Sequence, residues 1–172
     1  VTHRVSVSKD YLTFSAAHFL TIPGHKCESL HGHNYVVTVA VEGEVDPDTG
    51  FVIDFAVLKR VLRPTIDRLD HRVLLPGRNP GVGLRERDDG SVAVDVAGAA
   101  RFVFPRAHVA VVPVTDTTAE LLAEHLAREV VDGLGGAARG IRTVDVQVEE
   151  SPGQQGAFRI VVNQEEVGRA NQ

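Results

Sequence analysis

Over residues 4–18 the β-prone positions alternate, and Phe14, Ala16 and His18 share one parity. A period of two puts alternate side chains on one face of a strand, so this run predicts a strand that carries His18 inward at its end. A second run, 33–42, has Tyr35, Val37, Val39 and Val41 on one parity and stops at Gly43, with Asp46-Pro47-Asp48-Thr49-Gly50 as the turn. The two runs predict an antiparallel ribbon. The period then becomes helical: Asp54 is a good N-cap for a helix in which Phe55, Leu58 and Leu62 recur, Ile53 and Leu58 are spaced as a hydrophobic staple, and Pro64 is expected to kink or shorten it. A second helix carries Leu122, Leu126 and Val130 at i, i+4, i+8, with Asp116 or Thr117 at its cap and the glycine-rich stretch 133–140 at its end. Alternation returns at 141–150, where Val144, Val146 and Val148 oppose Asp145, Gln147 and Glu149, predicting a strand with one wet face. Residues 152–156 turn the chain into a last strand, 157–163, and the tail from Glu165 is expected to fray.

Between the helices, 76–113 is longer than a structureless loop in a compact domain should be. Runs 91–96 and 102–112, separated by Gly98, predict an extra hairpin in an insertion of about 77–113, with Asp88-Asp89-Gly90 as the turn leading in. No internal repeat is visible. The elements add up to an α+β chain of two ribbons and two helices.

With 172 residues, the chain fits one ordinary domain, 1–172. Its formal charge of -5, with no basic block, argues against direct nucleic-acid binding and for a small-molecule partner. The single cysteine, Cys27, excludes an internal disulfide, and the first residues lack the basic flank and apolar run of a signal peptide, so a cytoplasmic location is expected. The most apolar stretch, 92–114, is broken by Asp95, Arg101 and Arg106, and no membrane span is expected.

Three features carry chemistry. His31 and His33 are two apart, so in extended backbone both imidazoles project from one face; with His18 they supply three nitrogen ligands and leave a fourth position open, as in a catalytic zinc site. Cys27, four residues before His31, is open to three readings: a thiolate base or nucleophile beside a cation, a fourth zinc ligand that closes the site, or a small buried hydrophobe. Asp70-His71 reads either as a carboxylate orienting an imidazole for proton transfer or as a solvated helix cap. Glu150 falls on the parity of the three valines and Glu149 on the polar one, so Glu150 ends an apolar stripe where a ligand with paired N–H donors would satisfy it, unless the strand stops short and both acids are wet.

Taken together, Phe14-Ser15-Ala16-Ala17-His18, Cys27-Glu28-Ser29-Leu30-His31-Gly32-His33-Asn34-Tyr35, Asp54-Phe55, Leu69-Asp70-His71 and Thr118-Ala119-Glu120 resemble the 6-pyruvoyltetrahydropterin synthase family in order and spacing, over roughly 3–76 and 114–162. The resemblance implies the tunnelling fold, an antiparallel sheet with two helices on one face, assembled as homo-oligomers, commonly hexamers, with active sites between subunits. It implies Zn2+ on His18, His31 and His33, Cys27 as catalytic base, Asp70 with His71 as proton-transfer group, Glu150 as the pterin anchor, Thr118 in the pterin pocket and Glu120 in support. Three residues between the cysteine and His31 resemble the bacterial 6-carboxytetrahydropterin synthases, which implies conversion of 7,8-dihydroneopterin triphosphate to 6-carboxytetrahydropterin, acetaldehyde and triphosphate in the queuosine pathway. Glu28 resembles the glutamate of members that make 6-hydroxymethyl-7,8-dihydropterin, and His25 and Lys26 are candidates for the triphosphate. The other readings are a 6-pyruvoyltetrahydropterin synthase, a non-catalytic pterin-binding homologue and a zinc enzyme acting on another ring system.

Overall fold

A computed structural model describes residues 1–163. In it β1 (His3–His18) and β2 (His31–Gly43) form the antiparallel ribbon, with a register irregularity between Ser8 and Thr13. Both strands are apolar on alternate residues, and Tyr35, Val37, Val39 and Val41 point into one core. Next to β2 lies β8 (Ile141–Ser151), and beyond it β9 (Gln154–Val161), both antiparallel. The β8–β9 turn is tighter than the sequence suggested, because Ser151 pairs directly with Gln154 and Gly153 takes φ 80° at the corner. Strand β8 therefore runs through Glu150. The expectation for the tail from Glu165 lies outside the described residues.

Helix α1 (Phe55–Leu69) starts at Asp54, whose carboxylate accepts from the Ala56 amide, and Ile53 and Leu58 are buried in the same core. Pro64 does not shorten it. Pro64 and Arg60 are both exposed, so the carbonyl that loses its amide partner is within reach of water. Helix α2 (Ala119–Leu134) is capped by Thr118, which corrects the expected Asp116 or Thr117. Those two residues are engaged elsewhere: the Asp116 carboxylate accepts from the Thr21 amide and hydroxyl, and Thr117 is wholly buried against His18. The inward residues of both helices, among them Leu58, Leu62, Leu122, Leu126 and Val130, share one core with Val144, Val146 and Val148. This gives the α+β tunnelling fold, with the helices on one face of the sheet.

Two corrections concern the insertion. The sheet is not purely antiparallel: β3 (Arg72–Pro76) joins β1 in parallel, and β7 (Val109–Val112) joins β3 in parallel, for the order β7-β3-β1-β2-β8-β9. The expected hairpin strand 102–112 is split, since a 3-10 turn at Arg106–His108 ends one sheet and sends β7 into the other. What remains is a separate three-stranded sheet, β4 (Val82–Glu86), β5 (Ser91–Val96) and β6 (Ala99–Pro105). Successive residues of β3 explain how it docks: Leu74 faces the helices, whereas Leu75 joins Phe19, Val92, Val94 and Val109 in a second core beneath the inserted sheet. No helix among the described residues is long and apolar enough to cross a membrane.

Candidate metal centre and pocket

The register of β1 against β2 sets His18 opposite His31 and Ala16 opposite His33. Three imidazoles thus converge at one end of the ribbon, with ring centroids 4.5 Å (His18 to His31), 5.2 Å (His18 to His33) and 5.0 Å (His31 to His33) apart. One nitrogen from each falls within 4.8 Å of the others, so the group can hold a metal ion. Gly32 lies between two of them, where an added Cβ would press on the Ala16 carbonyl at 3.2 Å.

Hydrogen bonds decide which nitrogens are free. His18 Nδ1 is 2.8 Å from the Thr117 carbonyl oxygen and His31 Nδ1 is 2.8 Å from that of Ser29. A carbonyl only accepts, so each Nδ1 carries the hydrogen and each Nε2 keeps its lone pair. His18 Nε2 is buried with no hydrogen-bond partner among the described residues, an arrangement that costs free energy unless a cation or a donor takes the lone pair. Burial pushes His18 down to about 4, against the pull of the Thr117 carbonyl and with help from His31 and His33, so the ring is neutral at pH 7. Neutral imidazoles with oriented lone pairs fit a metal such as zinc. Behind them Tyr35 packs edge-on to His33 at 5.5 Å, its phenol pushed up by burial and then by the nearby Glu150 carboxylate.

Beside this group opens a cavity of about 440 Å³. His18 and His31 form one wall and Cys27 and His25 another. Thr118 and Glu120 line it from the start of α2, and Glu150 from the end of β8. Glu149 does not line it, which follows from the alternation along β8. The start of α2 is held close by Gly156 on β9, where any Cβ would collide with the backbone of Ala119 and Glu120.

Cys27 is half-buried in a 3-10 turn, Lys26–Glu28. Its amide donates to His25 Nδ1 at 3.2 Å and its carbonyl accepts from Leu20 at 2.8 Å, tying the turn to the end of β1. Among the described residues the metal-binding group consists of the three histidines, without Cys27. Lys26 is exposed and does not line the cavity. Neither does Glu28, whose carboxylate accepts from the Gly24 amide at 3.1 Å and pairs with Arg101 at 3.2 Å.

Asp70 and His71 lie elsewhere. Asp70 ends α1, with Oδ1 2.8 Å from the Ser15 amide and Oδ2 2.9 Å from His71 Nδ1. The Ser15 amide, and to a smaller degree His71, hold this carboxyl below its ordinary range. His71 takes φ 56°, a left-handed conformation that a side chain disfavours, while its amide donates to the Ser15 carbonyl at 2.7 Å. His71 borders a different cavity, of about 530 Å³, with His33, Arg72 and His108, so one chain does not bring Asp70 and His71 to Cys27. The contacts of Thr117 with His18 and of Arg101 with Glu28 were not legible in the sequence, since a backbone carbonyl contact and a cross-sheet ion pair leave no local pattern.

A model of the 6-pyruvoyl tetrahydropterin synthase family matches residues 6–159. A Methanocaldococcus jannaschii protein provisionally named 6-carboxy-5,6,7,8-tetrahydropterin synthase is 33% identical over 150 residues, covering 86% of this chain and 90% of its own. A Pyrococcus furiosus dihydroneopterin monophosphate aldolase is 44% identical over 62 residues, 36% of this chain and 51% of its own. Among solved structures, the 6-pyruvoyl tetrahydropterin synthase of Plasmodium falciparum superposes with a TM-score of 0.85 at 26% identity, covering 94% of this chain and 99% of that one.

Proposed function

Because the chain belongs to the 6-pyruvoyl tetrahydropterin synthase family, we propose that this enzyme converts 7,8-dihydroneopterin triphosphate to 6-carboxytetrahydropterin, acetaldehyde and triphosphate, with zinc at its histidine centre. The observation that carries this reading is the single cavity shared by the histidine centre, Cys27 and Glu150. At one end a carboxylate accepts the paired N–H donors of a pterin ring, which directs the ring's side chain toward the histidines. Thr118 and Glu120 flank that ring at the start of α2.

His18, His31 and His33 are the residues that hold the zinc, which when bound supplies Lewis acidity toward the substrate's side-chain oxygens. Cys27 takes a proton from the side chain of the bound pterin. Asp70 keeps His71 oriented through the Nδ1 contact, and His71 returns or relays the proton. Since His71 borders a different cavity from Cys27 in one chain, the pair is assigned to the pocket of a neighbouring subunit in a homo-oligomer, in line with the family's shared sites. His25, which lines the cavity, is the better placed of the two triphosphate candidates.

A second reading is cleavage to 6-hydroxymethyl-7,8-dihydropterin. The relative from Pyrococcus furiosus, named as an aldolase, supports it, and Glu28 is the residue assigned to that step, which requires it to leave Arg101 and turn into the cavity. Incubating the purified protein with 7,8-dihydroneopterin triphosphate and identifying products by mass separates the readings. The 6-carboxy product supports the first, the hydroxymethyl product the second, and a 6-pyruvoyl product or none overturns both.

A further inference from the structure

We infer that Arg101, on the inserted sheet, is a positioning residue for Cys27, acting through Glu28. The turn that carries Cys27 is only three residues long, and its own bonds are few: Glu28 donates to the His25 carbonyl at 3.0 Å and Ser29 to that of Lys26 at 3.4 Å. Cys27 itself adds its amide bond to His25 Nδ1 and its carbonyl bond from Leu20, and the Glu28 side chain supplies a further hold on the opposite side of the loop. One of its oxygens accepts from the Gly24 amide at 3.1 Å and the other meets Arg101 at 3.2 Å, so the carboxylate bridges the base of this loop to β6.

Arg101 is itself anchored. Its guanidinium carbon lies 6.0 Å from the centre of the Phe102 ring, and Phe102 packs at 5.0 Å on Phe19. Phe19 directly follows His18, the buried member of the histidine centre. The inserted sheet therefore rests against the end of β1 and reaches across to Glu28, gripping the loop between them at both ends. The ion pair also explains why Glu28 is turned from the cavity that its neighbour Cys27 lines. Both partners are partly exposed, 40% for Arg101 and 31% for Glu28, so salt weakens the pair. Breaking it loosens one side of the turn and releases a carboxylate next to Cys27.

Cys27 is the only cysteine, so alkylation of the zinc-loaded full chain by iodoacetamide reads its accessibility at one position. This arm does not depend on the proposed reaction, whereas the turnover arm rests on Cys27 as proton acceptor. Arg101→Gln should change the alkylation rate by about threefold, the scale an exposed ion pair carries. Glu28→Gln should match it, and Arg101→Lys should restore most of the wild-type rate. About 1 M salt should move wild type toward Arg101→Gln and leave that variant where it is. With 7,8-dihydroneopterin triphosphate, Arg101→Gln should lower kcat and spare KM, because Glu150 and Thr118 are untouched. Equal alkylation rates for folded wild type and Arg101→Gln overturn the inference whatever turnover does. Altered alkylation in a protein that turns over no pterin upholds it and overturns the proposed reaction instead.

Discussion

His18 Nδ1 stands 2.8 Å from the carbonyl oxygen of Thr117, a residue 99 positions further along the chain. This contact fixes the tautomer of the buried ligand, with Nδ1 protonated and the Nε2 lone pair turned to the centre. Long-range proton–nitrogen spectra of the metal-free protein should therefore show His18 and His31 as Nδ1–H tautomers, and zinc should shift both Nε2 signals. His31→Ala and His33→Ala should each lose most of the bound zinc. A protonated Nε2 on His18, or full zinc content in both variants, contradicts the assignment.

Glu150 and Glu149 make a matched pair, one lining the cavity and one on the other face of β8. Glu150→Gln should weaken pterin binding by about 1.5–3 kcal/mol, the scale of a hydrogen bond to a charged group, while Glu149→Gln should change it little. Equal losses in binding titrations would mean that the carboxylate at the cavity is not the pterin's anchor.

Gly156→Ala tests how tightly β9 holds the start of α2. Its Cβ would run into the Ala119 and Glu120 backbone, which no side-chain rotation relieves. The variant should lose about 1–3 kcal/mol in chemical denaturation, in the range of overpacked sites, and bind pterin more weakly because Thr118 and Glu120 must shift. Unchanged stability and binding would show that the two elements slide apart freely.

Asp70 carries a pH signature. Its folded carboxyl is held below the ordinary value of 3.8, first by the Ser15 amide, so the stability this adds is complete above pH 3.8 and is lost as pH falls through the lower folded value. Asp70→Asn should therefore have a lower denaturation midpoint than wild type above pH 3.8, and the gap should narrow in stronger acid. A gap that is the same at all pH values would mean the carboxylate's charge contributes nothing here.

The ribbon, both helices and β8 were legible because each repeats one period over enough residues to mark a buried face. The three histidines and Cys27 were legible because they sit close in sequence, and the family resemblance added to that reading. Strands β3, β4 and β7 were not: each is only four or five residues long, and β3 and β7 gain their partners through parallel pairing that local sequence does not encode. The cap of α2 was misread because Asp116, Thr117 and Thr118 are all capping residue types, and the choice among them rests on Thr21 and His18, roughly a hundred positions away. For the same reason the tie between Glu28 and Arg101 was not legible, since Arg101 belongs to the inserted sheet.

The most direct test restores zinc stepwise to metal-stripped protein while 7,8-dihydroneopterin triphosphate is supplied and products are identified by mass. Turnover should rise with zinc and level off at about one ion per chain, the capacity of a three-histidine site, yielding 6-carboxytetrahydropterin with acetaldehyde and triphosphate. Full turnover in the stripped protein, or no product at any zinc content, would contradict the account.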